Sequence, residues 1–264
     1  RQMQVESARS ILFAGSFEGP ALARSGLAFA TALLAEDALD EESQADHPGE
    51  TWSEFLEQDE TPLPNVTTGQ LNGTLRDEHG KFPINELVGD NGQFNSQFKQ
   101  VLQRLLTHPD LGLAEDKIEP LMQALQDWLD PDNDPAGEFG AETSYYQTEG
   151  KSYACSNGPF LSLKELLLIR GMTPELFYGR EDAPGLKDLL TVHTSDSVNI
   201  NTAGPVILAA MVNPSVRMET AMDFAQAAIN YRQDPRHFEY LAESDWYRNR
   251  VAGYNDIQLP GNMA

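Results

Sequence analysis

Apolar residues recur at the helical period through the middle of the chain, and this pattern constrains the fold most. Residues 94–108 place six apolar side chains on one helical face: Phe94, Phe98, Val101, Leu102, Leu105 and Leu106. Residues 114–130 repeat the pattern with Ile118, Leu121, Met122, Leu125 and Trp128. Each face needs a surface to pack against. The chain after about residue 90 is therefore predicted to form a helical domain.

Helix start and stop signals predict further helices in the same domain. Residues 162–165 have the sequence of a capping box, and Gly171 ends the helix that follows. Pro174 fits the first turn of another helix. A short extended piece leads into a helix that starts near Pro205, and residues 218–231 are predicted to form one more.

The front of the chain predicts a helix and then a hairpin. A wide apolar face at helical spacing follows Pro20, a residue that suits the first turn of a helix. The glycines just before Pro20 leave open whether residues 1–14 belong to the same helix. Residues 40–64 are acidic and are expected to form an exposed loop. In residues 69–88, apolar and polar residues interleave around a DEHGK turn, which is typical of a hairpin; the apolar ones are Leu71, Leu75, Phe82 and Ile84.

Charge and cysteine content exclude several classes of protein. The chain has 18 basic and 41 acidic residues, a formal net charge of −23, which repels phosphate backbones and attracts cations. Cys155 is the only cysteine, so an internal disulfide is excluded and a small buried thiol is expected. No apolar run is long enough to span a bilayer. The opening RQMQVESARS lacks a starting Met and a signal peptide, so we expect a segment ahead of Arg1 to have been removed.

An acidic stretch, DWLDPDNDPAGEFGAE at residues 127–142, holds the candidate metal ligands. Three aspartates alternate there and two glutamates follow: Asp130, Asp132, Asp134, Glu138 and Glu142. Alternate residues of a tight turn point oxygen atoms inward in calcium loops, and Ca²⁺ takes six to eight oxygen ligands. A divalent cation would explain why mutually repelling carboxylates are placed together.

The spacing is not that of an EF-hand. Pro135 occupies the sixth position, where that loop needs Gly, and Ala141 occupies the twelfth, where it needs Glu. Two interpretations stay open: a calcium loop of another geometry closed by Glu142, with Glu138 as an extra ligand, and a solvated acidic loop. Mg²⁺ prefers fewer protein carboxylates, and the cluster has no His or Cys for zinc.

The sequence carries none of the enzyme motifs that we considered. It lacks the metalloprotease, nucleophile-elbow, phosphate-loop and dinucleotide-binding patterns. A glycosidase needs two carboxyl groups at a set distance in space, and the sequence does not give that distance. Residues 166–177 resemble a helix-hairpin-helix of DNA-binding proteins. Acidic residues surround Arg170 there, so two short packed helices are the favoured interpretation.

Five segments, in this order, resemble the K-type minor pseudopilins of the bacterial type II secretion system (general secretion pathway protein K). The most specific are the D-W-L-D-x-D…G-A-E block and the V-N-I-N-T-A element. The similar segments are ARSGLAFATALLAEDAL (23–39), LRDEHGKFPINEL (75–87), LQDWLDPDNDPAGEFGAETSYY (125–146), YACSNGPFLSLKELLLIRGMTPELF (153–177) and VNINTAGPVILAAM (198–211).

The resemblance implies an α+β fold, with a pilin-like N-terminal helix packed on a small antiparallel sheet and a large inserted all-helical domain. Residues 1–90 would form the helix and the first strands. Residues 91–245 would form the inserted domain with its acidic calcium loop, and residues 246–264 a return segment to the sheet or a truncated tail.

The resemblance also implies a non-enzymatic subunit in the periplasm, anchored in the inner membrane by a segment that this chain lacks. It would bind other minor pseudopilins through the N-terminal helix and sheet, at the pseudopilus tip, without contacting nucleic acid. The ligands of a structural calcium ion would include Asp130, Asp132 and Glu142, which match the family block. The assignment of Asp134 and Glu138 as ligands rests on the local pattern of acidic residues. Asp127 and Asn157 also match family positions, and two roles stay open for each: calcium binding, or a structural role as helix termination for Asp127 and a turn for Asn157. The alternative is a calcium-dependent secreted binding or hydrolytic protein.

Overall fold

The computed structural model describes residues 2–39, 45–54 and 75–260. It divides the chain into two compact units, Arg1–Arg76 and Asp77–Ala264. The domain limits expected at residues 90 and 245 stay predictions. Most of the predicted acidic loop at 40–64 and the first apolar residue of the predicted hairpin, Leu71, lie outside the described residues.

The first unit contains a long helix, α1 (Gln2–Asp37), in contact with a single turn, α2 (Thr51–Glu54). Residues 2–14 therefore join the helix, and Pro20 lies inside it rather than at its start. The side chains of Leu27 and Leu34, seven positions apart on one stripe, are 70% and 44% exposed. Among the described helices, none combines the length and apolar character needed to cross a bilayer.

The second unit is mainly helical, with short strands between helices. Its helices are α3 (Ser96–Leu106), α4 (Glu115–Leu129), α5 (Thr143–Thr148), α6 (Pro174–Tyr178), α7 (Leu186–Leu189), α8 (Pro205–Met211), α9 (Met218–Arg232) and α10 (Trp246–Asn249). Five 3₁₀ turns join them, at Glu78–Gly80, Ile84–Glu86, Pro109–Leu111, Leu163–Leu168 and Pro235–Tyr240. The helices predicted at 94–108, 114–130, after Thr173, near Pro205 and at 218–231 are confirmed. The capping box at Ser162 and Glu165 is also confirmed, although it opens a 3₁₀ helix.

Two small sheets accompany these helices, which agrees with an α+β class. Strand β1 (Phe82–Pro83) pairs in parallel with β4 (Leu190–Thr191), and β2 (Gly179–Arg180) pairs antiparallel with β3 (Ala183–Pro184). The hairpin predicted around the DEHGK turn is wrong in its described part, since β1 pairs with a strand more than 100 residues later. Phe82 and Ile84 are fully buried in the core, and Pro83 between them has no N–H for a hairpin ladder.

One core cluster runs through the second unit, and buried arginines tie its segments together. Helix α8 packs against α9 and α3. Arg104 donates from Nε to the carbonyl of Ala209 and from Nη2 to that of Val216. Arg232 donates to two carbonyls within residues 200–203. Each guanidinium thus satisfies carbonyl groups where the chain enters or leaves α8.

The end of the described chain packs on this core without a strand. After α10, Ile257 and Leu259 are buried, and the N–H of Asn213 donates to the carbonyl of Gln258. Within the described part, which reaches residue 260, the return of residues 246–264 to a sheet stays a prediction.

Asn85 joins three distant segments beside β1. Its Nδ2 donates to the carbonyls of Phe160 and Val192 at 3.1 and 2.8 Å, and its Oδ1 accepts the N–H of Phe160 at 2.8 Å. Only an amide offers both donors and an acceptor in this geometry. The side chain therefore fixes the position of β1 against residues 75 and 107 places further along the chain.

We expect Asn85→Asp to lower the free energy of unfolding by about 2–3 kcal/mol, because two carbonyls lose their donor and face a carboxylate. Denaturant unfolding measures this change. Asn255→Asp is the matched control, since Asn255 is exposed and also donates to a backbone carbonyl, that of Arg248. The control is expected to change stability by less than about 0.5 kcal/mol. Equal losses in both variants would contradict the role of Asn85.

Candidate metal centre

The acidic side chains converge where α4 ends and α5 begins. Asp130 is the C-terminal cap of α4, with extended backbone angles, and Glu142 is the N-terminal cap of α5. Trp128, just before the end of α4, packs its ring at 5.8 Å, edge on, against Tyr146 of α5. This contact holds the two helix ends together, so the chain between them returns as a closed loop.

Three carboxylates meet inside this closure. Asp130, Asp132 and Glu142 each offer an oxygen, and these oxygens all lie within 4.8 Å of one another. Oxygens bound to one Ca²⁺ at about 2.3–2.6 Å cannot lie more than about 5 Å apart. The separation therefore suits three ligands of one calcium-sized cation.

Two of the three carboxylates are buried and have oxygens that no hydrogen bond from the described part of the chain satisfies. Asp130 is 3% exposed and Glu142 is 1% exposed, whereas Asp132 is exposed. Among the described residues, Oδ1 of Asp130 and both carboxylate oxygens of Glu142 have no hydrogen-bond partner. Burying an ionised carboxylate without a partner is costly. A bound cation is the group that would satisfy all of these oxygens together.

The cluster also perturbs its own protonation. Burial, followed by the charges of Asp132 and Asp127, raises the pKa of Asp130 from 3.8 to about 6. Burial raises the pKa of Glu142 from 4.5 to about 7, and Asp127 and Asp130 add to this effect. Both shifts have the direction expected when carboxylates are desolvated and crowded, a cost that a bound cation would offset.

Asn157 brings a neutral oxygen beside the same loop. Its φ of 48° is left-handed, which Asn tolerates and which fits the turn predicted there. Its Nδ2 donates to the backbone carbonyl of Asp132, and its Oδ1 is buried without a partner among the described residues. Sequence spacing missed this oxygen because it lies 25 residues from Asp132.

The other predicted ligands lie elsewhere in the loop. Asp134 and Glu138 are exposed and are not part of the group of three. Asp134 instead donates its N–H to Oδ1 of Asp132 at 2.8 Å. Asp127, for which calcium binding and helix termination were both open, lies inside α4, is fully buried and accepts backbone N–H groups with both carboxylate oxygens.

Cys155 packs next to the site as a thiol. Its Sγ donates to the carbonyl of Asp127 at 3.1 Å, and burial, followed by the charge of Glu142, raises its pKa to about 12. The prediction of a small buried thiol is therefore confirmed. A protonated thiol is a poor metal ligand, so the donors at the site are oxygen atoms, which suit a hard cation.

A second group of acids lies in the first unit and is a weaker candidate. Oxygens of Asp37, Asp46 and Glu50 also lie within 4.8 Å of one another. Oε2 of Glu50, however, already accepts the N–H of His47 and the indole N–H of Trp52, both at 2.8 Å. Hydrogen bonds from the protein therefore satisfy the buried acid of this group.

In the absence of cations, we expect the melting temperature to fall by roughly 5 °C between about pH 4 and about pH 7. Since Asp130 and Glu142 have raised pKa values, the folded protein binds more protons than the unfolded chain between about pH 4 and about pH 7. Stability is therefore lost as the pH rises through this range. Thermal unfolding in chelator measures the slope.

The double variant Asp130→Asn/Glu142→Gln should flatten that slope. The matched control Asp134→Asn/Glu138→Gln removes two exposed carboxylates of the same loop and should keep it. Identical slopes in the two double variants would show that the buried pair does not govern the pH dependence.

Comparison with known proteins identifies the region that carries this site. The model of the family "Type II secretion system (T2SS), protein K" matches residues 80–179. Type II secretion system protein K of Pseudomonas aeruginosa is 33% identical over 173 residues, covering 63% of this chain and 46% of that protein. The protein of the same name from Klebsiella pneumoniae is 29% identical over 204 residues, covering 75% and 59%. The chain thus spans about half the length of the curated relatives that it matches.

A solved structure shares the fold. The crystal structure of the GspK–GspI–GspJ complex from the type 2 secretion system of enterotoxigenic Escherichia coli matches with a TM-score of 0.58 at 24% identity. The match covers 75% of this chain and 68% of that chain. The matched region is therefore similar to type II secretion system protein K, and the resemblance predicted from the motifs of the sequence is confirmed.

Proposed function

We propose that this chain is a non-enzymatic minor pseudopilin of a type II secretion system. It binds other minor pseudopilins at the tip of the pseudopilus and supports export of folded proteins across the outer membrane. The observation that carries the proposal is the protein K match over residues 80–179, the region that holds the acidic loop. The solved relative belongs to a GspK–GspI–GspJ complex, which supports partners of this class.

The N-terminal helix is the proposed partner surface. In this proposal α1 is the pilin-like helix, packed on a small antiparallel sheet, and the helical unit caps the fibre. The exposed stripe of Leu27 and Leu34 supports contact with partner helices, because it offers apolar side chains at helical spacing. The proposed location is the periplasm, with an inner-membrane anchor preceding Arg1 in the full-length protein.

Calcium is the proposed structural ion of the helical unit. Asp130, Asp132 and Glu142 would hold it, with the amide oxygen of Asn157 as a neutral donor. Asp134 and Glu138 are exposed and lie outside the converging group, so they are not among the proposed ligands. The cation would neutralise the buried carboxylates and tie the end of α4 to the start of α5.

The grooves of the helical unit do not favour the alternative of a calcium-dependent binding or hydrolytic protein. Two neighbouring grooves, of about 690 and 140 Å³, lie along α3 and share Gln100, Asn213 and Pro214. None of the acidic residues of the candidate metal centre lines either groove. The buried carboxylates thus have no link to these two grooves, which supports a structural ion.

We expect Ca²⁺ at a hundredfold excess over its dissociation constant to raise the melting temperature by roughly 5–10 °C, because it binds only the folded chain. Glu142→Gln should abolish most of this rise, since it removes a charged ligand that is buried. Glu138→Gln is the matched control and should keep the rise, because Glu138 is exposed. If Ca²⁺ does not change the melting temperature of the wild-type protein, the result would favour the interpretation as a solvated acidic loop.

We expect the chain to form a complex with two other minor pseudopilins of its own secretion system, measured by size-exclusion chromatography with light scattering. Leu27→Glu/Leu34→Glu should weaken this complex at least about tenfold, because charges replace apolar contacts. Leu161→Glu, at a side chain that is 87% exposed in the helical unit, is the control. Failure of the wild-type chain to assemble with either partner would contradict the proposed function.

A further inference from the structure

Asp127 organises the acidic loop from inside α4. Its side chain is fully buried, and its two oxygens accept N–H groups 9 and 14 residues further along the chain. Oδ1 accepts from Ala136 at 2.7 Å, and Oδ2 accepts from Ala141. Both oxygens are therefore engaged by the loop, and Asp127 is not among the three residues whose oxygens converge on the cation position.

The backbone of the loop fits tightly against this carboxylate. A Cβ added at Gly140 would lie 2.5 Å from Oδ2 of Asp127 and 2.6 Å from the nitrogen of Ala136. Real Cβ contacts do not reach such distances, so the loop can close on Asp127 only with Gly at this position. The glycine of the G-A-E motif thus serves the contact with Asp127.

Two further side chains hold the same stretch from outside. Oε1 of Gln123, one turn before Asp127 on α4, accepts the N–H of Phe139 at 2.8 Å. Arg170 donates to the carbonyls of Phe139 and Gly140 at 3.0 and 3.1 Å. Residues 136–141 are therefore bound by protein groups that contribute no ligand to the group of three.

Ala141 immediately precedes Glu142, so the hydrogen bond from its N–H to Asp127 sets where the carboxylate of Glu142 lies relative to Asp130. We propose that Asp127 is a positioning residue: it holds Glu142 against Asp130 and prepares the cation site without touching the cation. This inference rests on the calcium site of the proposed function. Residues behind the ligands of a metal site typically change its affinity 10–100-fold when mutated.

The test is calorimetric titration of the full chain with Ca²⁺. Asp127→Asn keeps one oxygen that can accept one of the two loop N–H groups, but its NH₂ group, a donor, faces the other N–H. We therefore expect a 10–100-fold loss of Ca²⁺ affinity. Asp77→Asn is the matched control. The carboxylate of Asp77 also accepts hydrogen bonds, from the backbone N–H of His79 and from the side chains of Asn199 and Thr202. None of these residues belongs to the acidic loop. Substitution of Asp77 should leave the Ca²⁺ affinity unchanged.

Gly140→Ala separates positioning from charge, because it displaces the loop from Asp127 but removes no carboxylate. We expect a comparable loss of Ca²⁺ affinity. If Asp127→Asn weakens binding while Gly140→Ala does not, Asp127 acts through its charge and the positioning role is overturned. Wild-type affinity in both variants would also overturn it.

Hydrogen exchange of the wild-type chain supplies a measurement that does not depend on how a variant folds. In chelator, the amides of Ala136 and Ala141 should remain protected, because Asp127 binds them without the cation. If these amides exchange freely until Ca²⁺ is added, the cation orders the loop and the proposal is wrong. A wild-type chain that binds no Ca²⁺ would instead refute the calcium site, whatever the exchange of these amides.

Discussion

The buried carboxylates of Asp130 and Glu142, with three oxygens that no hydrogen bond within the described residues satisfies, are the constraint on which the junction of α4 and α5 depends. The fold brings them together because Trp128 packs α4 against α5 and because Asp127 closes the loop between these helices. Burial, followed by the charges of neighbouring aspartates, raises both pKa values, so the ionised cluster is destabilised and a cation would relieve it. An all-oxygen site of this charge suits calcium, and the ion would complete a loop that the protein has already shaped.

Much of the helical unit could be predicted from the sequence, because helical periodicity and capping are local properties. The apolar stripes before Leu106 and Trp128 and the capping box at Ser162 all fall in helices as expected. The hairpin was wrong since its alternating pattern resulted from a fully buried segment around Pro83, whose partner strand β4 is remote in sequence. Pairing over such a distance leaves no signal in a local pattern.

The candidate site was predicted only in part, because some of its contacts are also remote in sequence. Spacing identified the acidic stretch, but two of its five acids, Asp134 and Glu138, lie outside the converging group. Alternation along the chain gives the direction of a side chain only while the backbone is regular, and this loop turns at Gly137, with φ of +75°. The oxygen of Asn157 enters through the tertiary fold, so neither it nor the anchoring contacts of Asp127 could be read from spacing.

These features fit a structural subunit. The acids are enclosed at a helix junction, outside the two grooves along α3, while the exposed stripe of α1 offers an apolar surface at helical spacing. The most direct measurement is a crystal structure of the chain grown with Ca²⁺. The account predicts one strong density peak about 2.3–2.6 Å from oxygens of Asp130, Asp132 and Glu142. A map from calcium-saturated crystals with these three side chains turned apart and no peak between them would contradict it.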